Sequence, residues 1–347
     1  MNLKDLANAL GLSQTTVSRA LNGYPEVAQA TRQRVLDAAR AHNYSPNTRA
    51  KALATGRAMA IGHVIPLATS TELVNPVFAD FIAGASETYM RHGYDIVLSV
   101  IGDDDEDRVY RDMAAKRMVD GVILQSPTTD DRRIALLRDL GLPFVVHGRA
   151  TDLPDDYSFV DVNNRRAFKR ATEFLIDLGH RRVALVNGRA QLGYAVRRQA
   201  GFVDGMAARG LTPDPALMLS DEMTEGYGHA AMRALLAQPD PPTAVLAAST
   251  IIAFGMRRAA DDVGLRLGRD VSLITYDDDL SYFRNGGAEA VFTALRSSVR
   301  MAGRRAADVL VDLIERPVAT DATDAPRQIL LDAELIVGRS TGPAPPA

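Results

Sequence analysis

The sequence predicts an α-helical N-terminal unit followed by two open α/β subdomains, each built on a parallel sheet. Three observations lead there. Up to Ala41, apolar residues recur at helical spacing. From Met59 onward, short apolar runs alternate with amphipathic stretches, the texture of a βαβ series with both sheet faces covered. That series falls into two similar halves of about 100–130 residues, each the size of a domain.

In chain order, Leu3, Leu6, Ala7 and Leu10 make one helical stripe. Gly11 can take the positive φ that ends that helix, and Ser13 can cap the next by accepting a backbone N–H. The second helix sets Val17, Ala20 and Leu21 on an apolar face and crowds Gln14, Thr15, Thr16, Ser18 and Arg19 on the other. Two short helices joined by a Gly-containing turn make a helix-turn-helix, whose second helix offers its N-terminal residues to base edges in the major groove. On the pattern alone, the same corner fits an ordinary α-helical domain equally well. Gly23-Tyr24-Pro25 breaks the backbone, and a third helix runs over 31–42 with Val35, Leu36, Ala38, Ala39 and Ala41 inward. Leu3, Leu6, Leu10, Val17, Leu21, Val35 and Leu36 suffice for a three-helix core. The helix-capable piece 48–56 is too short to be stable alone in water, so it suits a segment that folds against DNA.

The chain has 347 residues, 46% hydrophobic and 24% charged, with no Trp and no Cys. The absence of Cys excludes disulfides, thiolate metal sites and cysteine nucleophiles. No apolar run approaches the ~18 residues of a membrane span. The N-terminus is an amphipathic helix without a basic-then-apolar leader, so a cytoplasmic protein is expected. Net charge is −3, unevenly spread: residues 1–57 carry eight Lys and Arg against three Asp and Glu. A basic head on an acidic body is how a chain binds phosphate with one end.

In the body, strand-like runs at 60–66, 95–100, 121–125 and 143–147 alternate with helix-like segments near 77–92, 106–118 and 131–140. A second series starts at Phe159 and continues through strands at 182–188, 244–248 and 271–277, with helices near 164–178, 195–209 and 227–237. Ligands of such sheets bind outside the carboxyl ends of the strands. The polar residues there are Gln125-Ser126, His147-Gly148-Arg149, Asp161, Asn187, Ser249-Thr250 and Asp277-Asp278-Asp279, with Arg198 on the helix after Gly188. Enzymatic signatures are missing: G-x-S-x-G, H-E-x-x-H and G-x-x-x-x-G-K-[ST] do not occur. Asp103-Asp104-Asp105, followed by Glu106 and Asp107, reads as charge complementing a helix N-terminus rather than a cation site. No catalytic residue, cofactor or metal is expected.

Leu3-Lys4-Asp5-Leu6-Ala7, the turn and helix over 11–22, Thr31-Arg32, and Asn43-Tyr44-Ser45-Pro46-Asn47 through Leu53 together resemble the LacI/GalR family of bacterial repressors in order and spacing. The likeness runs on through the rest of the chain and decides the corner in favour of a helix-turn-helix. It implies a three-helix headpiece at 1–47, a hinge helix or linker at 48–58, and a periplasmic-binding-protein-like core at 59–340. Subdomain N would take about 59–159 and 292–318, and subdomain C about 160–291 and 319–340. The Gly- and Pro-rich tail 341–347 reads as disordered.

The resemblance makes Gln14, Thr15 and Arg19 base readers, and Ser13, Thr16, Ser18, Asn22, Tyr44 and Asn47 phosphate-positioning residues. Leu3 and Ala50 also fall at the DNA. Leu53 matches a leucine that wedges into the minor groove and kinks the duplex; from the residues alone it is equally a core leucine of a linker turn. In the cleft the resemblance singles out Asn75-Pro76-Val77-Phe78, Ser126, Arg149, Asp161, Arg198, Ser249 and Asp277, with His147 beside them. Asp and Arg fork onto hydroxyl pairs, and Phe78 stacks on the apolar face of a sugar ring. In one departure Ser249-Thr250 stands where many members carry Asn-Asp, leaving a shorter reach to ligand and Thr250 to cap the next helix.

The function implied is a homodimeric repressor on a pseudo-palindromic operator. A small carbohydrate, with an α-glucoside the narrower expectation, would rotate the subdomains and disorder the hinge. A corepressor or a non-sugar effector is the alternative. A solute-binding protein or a sugar-metabolising enzyme on the same core is a more distant one. No leucine heptad follows Val337, so no tetramerising tail is expected.

Overall fold

The computed structural model describes residues 1–21, 23–44, 56–66, 75–102, 106–315 and 325–346. It divides into two compact units, Met1–Met59 and Ala60–Ala347.

The first unit holds α1 (Leu3–Leu10), α2 (Gln14–Leu21) and α3 (Gln29–Ala41). Asn2 and Asp5 start α1 with a reciprocal capping box, each side chain taking the other's amide at 3.0 Å. Gly11 ends it at φ 64°, a conformation that costs a residue with a Cβ. Ser13 Oγ accepts the Thr16 amide at 3.1 Å and so caps α2. Leu6, Ala7, Val17, Ala20, Val27, Val35 and Ala39 are buried together. Leu3, Leu10, Leu12, Leu21 and Tyr44 close the rim. Val27 joins this core, while Leu36, expected in it, is only half-buried and Ala41 is exposed, because α3 turns its Val35–Ala39 edge inward.

The second unit carries two six-stranded sheets. Its elements are β1 (Ala60–Pro66), α4 (Pro76–His92), β2 (Asp95–Ile101), α5 (Glu106–Ala115), β3 (Gly121–Gln125), α6 (Arg132–Asp139), β4 (Phe144–His147) and β5 (Phe159–Val162). There follow α7 (Asn164–Asp177), β6 (Val183–Asn187), α8 (Gly193–Ala208), β7 (Met218–Ser220), α9 (Glu225–Leu236), β8 (Ala244–Ala247), α10 (Thr250–Asp262) and β9 (Ser272–Asp277). The chain finishes with β10 (Thr293–Arg296), α11 (Val299–Glu315), β11 (Gln328–Leu331) and β12 (Glu334–Ile336). The first sheet runs β11-β5-β4-β3-β1-β2, and the second β12-β10-β9-β8-β6-β7. Among the described residues, the pairings between these strands are parallel except that of β10 with β12. Central strands such as β6, β8 and β9 are buried along their whole length, as helices on both faces require.

Strand order corrects the expected partition. Residues 159–162, expected to border or open the second subdomain, pair with β4 and β11 in the first sheet. Within 292–318 only α11 joins the first subdomain, where it packs on α4, β3, β4 and β5, while β10 stays in the second sheet. Within 319–340, β11 belongs to the first sheet and β12 to the second. A crossing strand must be apolar whichever sheet it joins, so its composition carries no address. The tail is also ordered through residue 346: Gly342 donates to Ser272 Oγ at 3.1 Å, Thr341 meets Thr293 at 2.7 Å, and the Ala344 amide reaches the Leu178 carbonyl at 2.9 Å. Low sequence complexity does not prevent backbone groups from finding such partners.

Three helix pairs touch backbone to backbone. A Cβ on Gly84 would fall onto the Arg300 carbonyl, and one on Gly303 onto that of Phe81, locking α4 to α11. Gly201 and Gly205 do the same for α8 on α7, and Gly228 and Gly255 for α9 and α10.

Candidate functional site

In the headpiece, Ser13, Gln14, Thr15 and Arg19 are exposed along α2, while Thr16 and Ser18 are half-buried. Ser13 and Thr16 share a hydroxyl contact of 2.8 Å, which fixes the start of the helix. Arg19 lies 3.9 Å from Glu26, both side chains about half exposed, so the guanidinium is only loosely tethered. Leu3 and Tyr44 pack at the core rim and present one edge outward. Asn22, Asn47, Ala50 and Leu53 lie outside the described residues, as does most of the 48–58 segment.

In the core, the strand ends of both sheets contribute to one polar region. Arg198, 6% exposed, comes from α8. Its Nε donates to Asn164 Oδ1 at 2.7 Å and its Nη1 to the Ala248 carbonyl at 2.7 Å. The guanidinium lies over the rings of Tyr276, Tyr194 and Phe168 at 4.0, 4.8 and 5.2 Å. A cation so held is fixed in place before any ligand arrives.

Asp277 does not face this cation. Its carboxylate accepts the Asp279 amide at 2.9 Å and Arg296 Nε at 3.0 Å, and the residue is 2% exposed. Tyr276, near the end of β9, lies against Arg198, and Asp278, one residue past the strand, feels the charge of the same guanidinium. Burial pushes the Asp278 carboxyl up to about 7, opposed by Arg198 and reinforced by the charge of Asp277. Asn164, which anchors Arg198, is not among the strand-end residues named from the sequence, since it begins a helix.

Arg149 and Asp161 do meet, with Arg149 Nε donating to Asp161 Oδ2 at 2.9 Å. Arg197 of α8 lies 3.3 Å from the same oxygen and donates to the Arg149 carbonyl at 2.8 Å, joining the two subdomains. A cavity of about 430 Å³ opens beside this cluster, lined by Arg149, Asp155, Asn163, Arg165 and Arg197 among others. Phe78 is half-buried on the first turn of α4, its ring edge-on to His63 at 6.5 Å. His147 lies against Phe81 at 4.4 Å. Burial lowers both His63 and His147 to about 4, against the pull of Asp161 in the case of His147, so this wall is apolar and neutral. Ser126 is exposed after β3 with φ 48°. Ser249, not Thr250, caps α10: its Oγ accepts the Ile252 amide at 3.2 Å, while Thr250 donates to the Tyr276 carbonyl at 3.1 Å. The helix starts at Thr250, which places the cap one residue earlier than expected.

A helix-turn-helix head and a two-subdomain core with a preset guanidinium, carboxylates and rings define a class: a DNA-binding protein that responds to a small polar ligand. Residues 2–47 match the bacterial regulatory proteins of the lacI family, and residues 60–337 match the periplasmic binding proteins and sugar binding domain of that family. The chain therefore belongs to the LacI family of bacterial regulatory proteins, a transcriptional regulator that pairs a DNA-binding head with a sugar-binding domain. It is 46% identical over 345 residues to the HTH-type transcriptional regulator AglR of Rhizobium meliloti (strain 1021), covering 99% of this chain and 95% of that one. It is 33% identical to RafR of Escherichia coli, over 90% and 92% of the two chains. Among solved structures, a transcriptional regulator CelR–cellobiose complex superposes with a TM-score of 0.71 at 30% identity, over 98% and 99%. The Lac repressor dimer bound to operator and the anti-inducer ONPF shares the fold, with a TM-score of 0.84 at 24% identity over 99% of each chain. Among the described residues, no helix is long and apolar enough to cross a membrane.

Proposed function

We propose that this chain is a cytoplasmic, non-enzymatic repressor that grips a pseudo-palindromic operator as a homodimer and releases it when a small carbohydrate enters the cleft. The observation that carries this reading is Arg198, a buried cation already oriented by Asn164, Ala248 and three rings, with Asp278 beside it. A polyhydroxylated ring offers donors to Asp278, acceptors to Arg198 and an apolar face to Phe78. The relative solved with cellobiose supports a carbohydrate, and an α-glucoside is the first class to test.

On the DNA side, Gln14, Thr15 and Arg19 read bases while Ser13, Thr16, Ser18, Asn22, Tyr44 and Asn47 position phosphates, with Leu3 and Ala50 at the same surface. Leu53 wedges between base steps at the operator centre. Sugar binding alters the subdomain arrangement and separates the paired 48–58 segments. A dimer is supported by the edge strand β2, which leaves Ile96, Leu98 and Val100 exposed on one side, and by Tyr282 and Phe283 in the loop after β9.

Selection of DNA from a random pool by the full chain tests this directly. The expected result is enrichment of one pseudo-palindrome, with binding that falls steeply as salt rises. Adding maltose, trehalose, sucrose or cellobiose is then expected to weaken that binding. No enriched site removes the operator reading; an enriched site that every sugar leaves untouched removes the carbohydrate reading.

A further inference from the structure

We infer that Asp80 is a positioning residue for the sugar site: a carboxylate of the first subdomain that fixes the 278–281 segment of the second and thereby aims Asp278 at Arg198. The inference rests on the cleft reading given above. Asp80 lies just past the first turn of α4, which covers the first sheet, and is 5% exposed. Its carboxylate is nevertheless given over to a loop of the other subdomain. Oδ2 accepts the Ser281 amide at 2.8 Å, and Oδ1 accepts the Ser281 hydroxyl at 2.5 Å. Arg300, at the start of α11, adds a third bond to Oδ1 at 3.2 Å and reaches Ser281 Oγ at 3.4 Å. A carboxylate this buried needs such partners, and the described ones all come from outside α4.

Ser281 ends a short segment that is tied at both ends. At the near end, Asp277 Oδ1 holds the Asp279 amide, and Asp279 sits at φ 56°, a left-handed conformation that Asp takes more readily than most residues with a Cβ and that this bond fixes. Leu280 is buried. Asp278 is therefore suspended between a tie inside its own subdomain and one reaching across from α4. The charges that face it are Arg198 from α8 and Asp277 from its own strand, and the Tyr276 hydroxyl senses it in turn. Asp80 and Arg300 act on it from α4 and α11 through Ser281. Any rearrangement of one subdomain against the other must carry this tie along or break it. The tie thus makes the aim of Asp278 depend on how the two subdomains are set.

The test uses the full chain with Asp80→Asn, Ser281→Ala and the double variant. In hydrogen–deuterium exchange, peptides spanning 278–285 are expected to exchange at least tenfold faster in Asp80→Asn, with α1–α3 and the second sheet unchanged. The pH at which the melting-temperature gap between the chain and its Asp278→Asn counterpart levels off is expected near 7. In the Asp80→Asn background it should fall by a unit or more, because a released loop takes the half-buried Asp278 further into water. For whichever of maltose, trehalose, sucrose or cellobiose raises the melting temperature of the unaltered chain, affinity should drop about tenfold in Asp80→Asn and less in Ser281→Ala, and the double variant should be no worse than Asp80→Asn alone. Unchanged exchange over 278–285 overturns the inference. So does a sugar affinity that falls with an unmoved pH profile, since that result assigns Asp80 to folding alone. If Asp80→Asn does not fold, Ser281→Ala carries the same three readouts at smaller size. If none of the sugars binds the unaltered chain, exchange and pH still decide the role of Asp80, and the cleft reading is what falls.

Discussion

The two subdomains of the core follow one plan and present opposite chemistry. Each orders six strands with equivalent connectivity, differing mainly in the last strand, parallel in the first sheet and antiparallel in the second. On the cleft side of the first, Phe78 and His147 stand half-buried, backed in the core by Phe81 and the neutral imidazole of His63. That of the second is charged and hydrogen-bonded, centred on Arg198 with Asp278 in its field. A sugar ring is itself two-sided, with an apolar face and a hydroxyl edge. The division of labour lets one wall exclude water while the other reads hydroxyl geometry.

Replacing Arg198 should break the comparison most. Arg198→Ala is expected to abolish the sugar response, by about 100-fold or more in affinity, and to lower stability by about 3 kcal/mol by stranding Asn164 and the Ala248 carbonyl. Calorimetric titration and thermal melts check both, and near-normal affinity would move hydroxyl recognition to the first wall. The helix crossings test the shared plan instead. Gly84→Ala in the first subdomain and Gly228→Ala in the second should each cost about 2–3 kcal/mol, because the added methyl meets an immovable carbonyl. Unequal denaturation midpoints would show that only one crossing is rigid.

Phe78→Ala should cost about 1 kcal/mol of sugar binding, a loss of stacking without loss of hydroxyl recognition. It should leave the fold intact, and a ring-for-ring change to Tyr should restore affinity.

The smallest net effect is in pH, where the walls oppose each other. His63 and His147 sit near 4 in the fold, against about 6.5 when unfolded. The unfolded chain therefore binds more protons between those values, and this part of the stability rises with pH across that window. Asp278 stands near 7 in the fold, against about 3.9 unfolded, so its part falls as pH rises from about 4 to 7. The unaltered chain should show a shallow profile. Asp278→Asn should rise more steeply over pH 4–6.5 and keep its widest advantage above 7; equal slopes would mean that the Asp278 carboxyl is not raised in the fold.

Much of this arrangement was legible from residues alone. The two short helices and their turn follow from Gly11, Ser13 and the apolar spacing, while the likeness to the repressor family was needed to read them as a helix-turn-helix; the βαβ texture follows from the apolar runs. What escaped did so for physical reasons. Strands 159–162 and 293–296 lie in the other sheet from the one expected, and a buried parallel strand looks alike wherever it is inserted; 328–331 is a half-exposed edge strand whose four residues carry no sign of which edge they join. Asp277 and Asp278 are adjacent and chemically identical, so only their partners in the fold separate them. Ser249 caps a helix whose first residue the sequence leaves open by one position. The Asp80–Ser281 tie spans two hundred residues, beyond any local pattern.

The glycine crossings carry one more consequence. Helices in backbone contact have no side-chain cushion across which to slide, so each covering pair behaves as a stiff plate bolted to its sheet. Motion imposed by a ligand then has few places to go. It concentrates in the short strands of chain that pass between sheets, at 162–164, 296–299 and 331–334, which become the axle of the device while the plates serve as its arms.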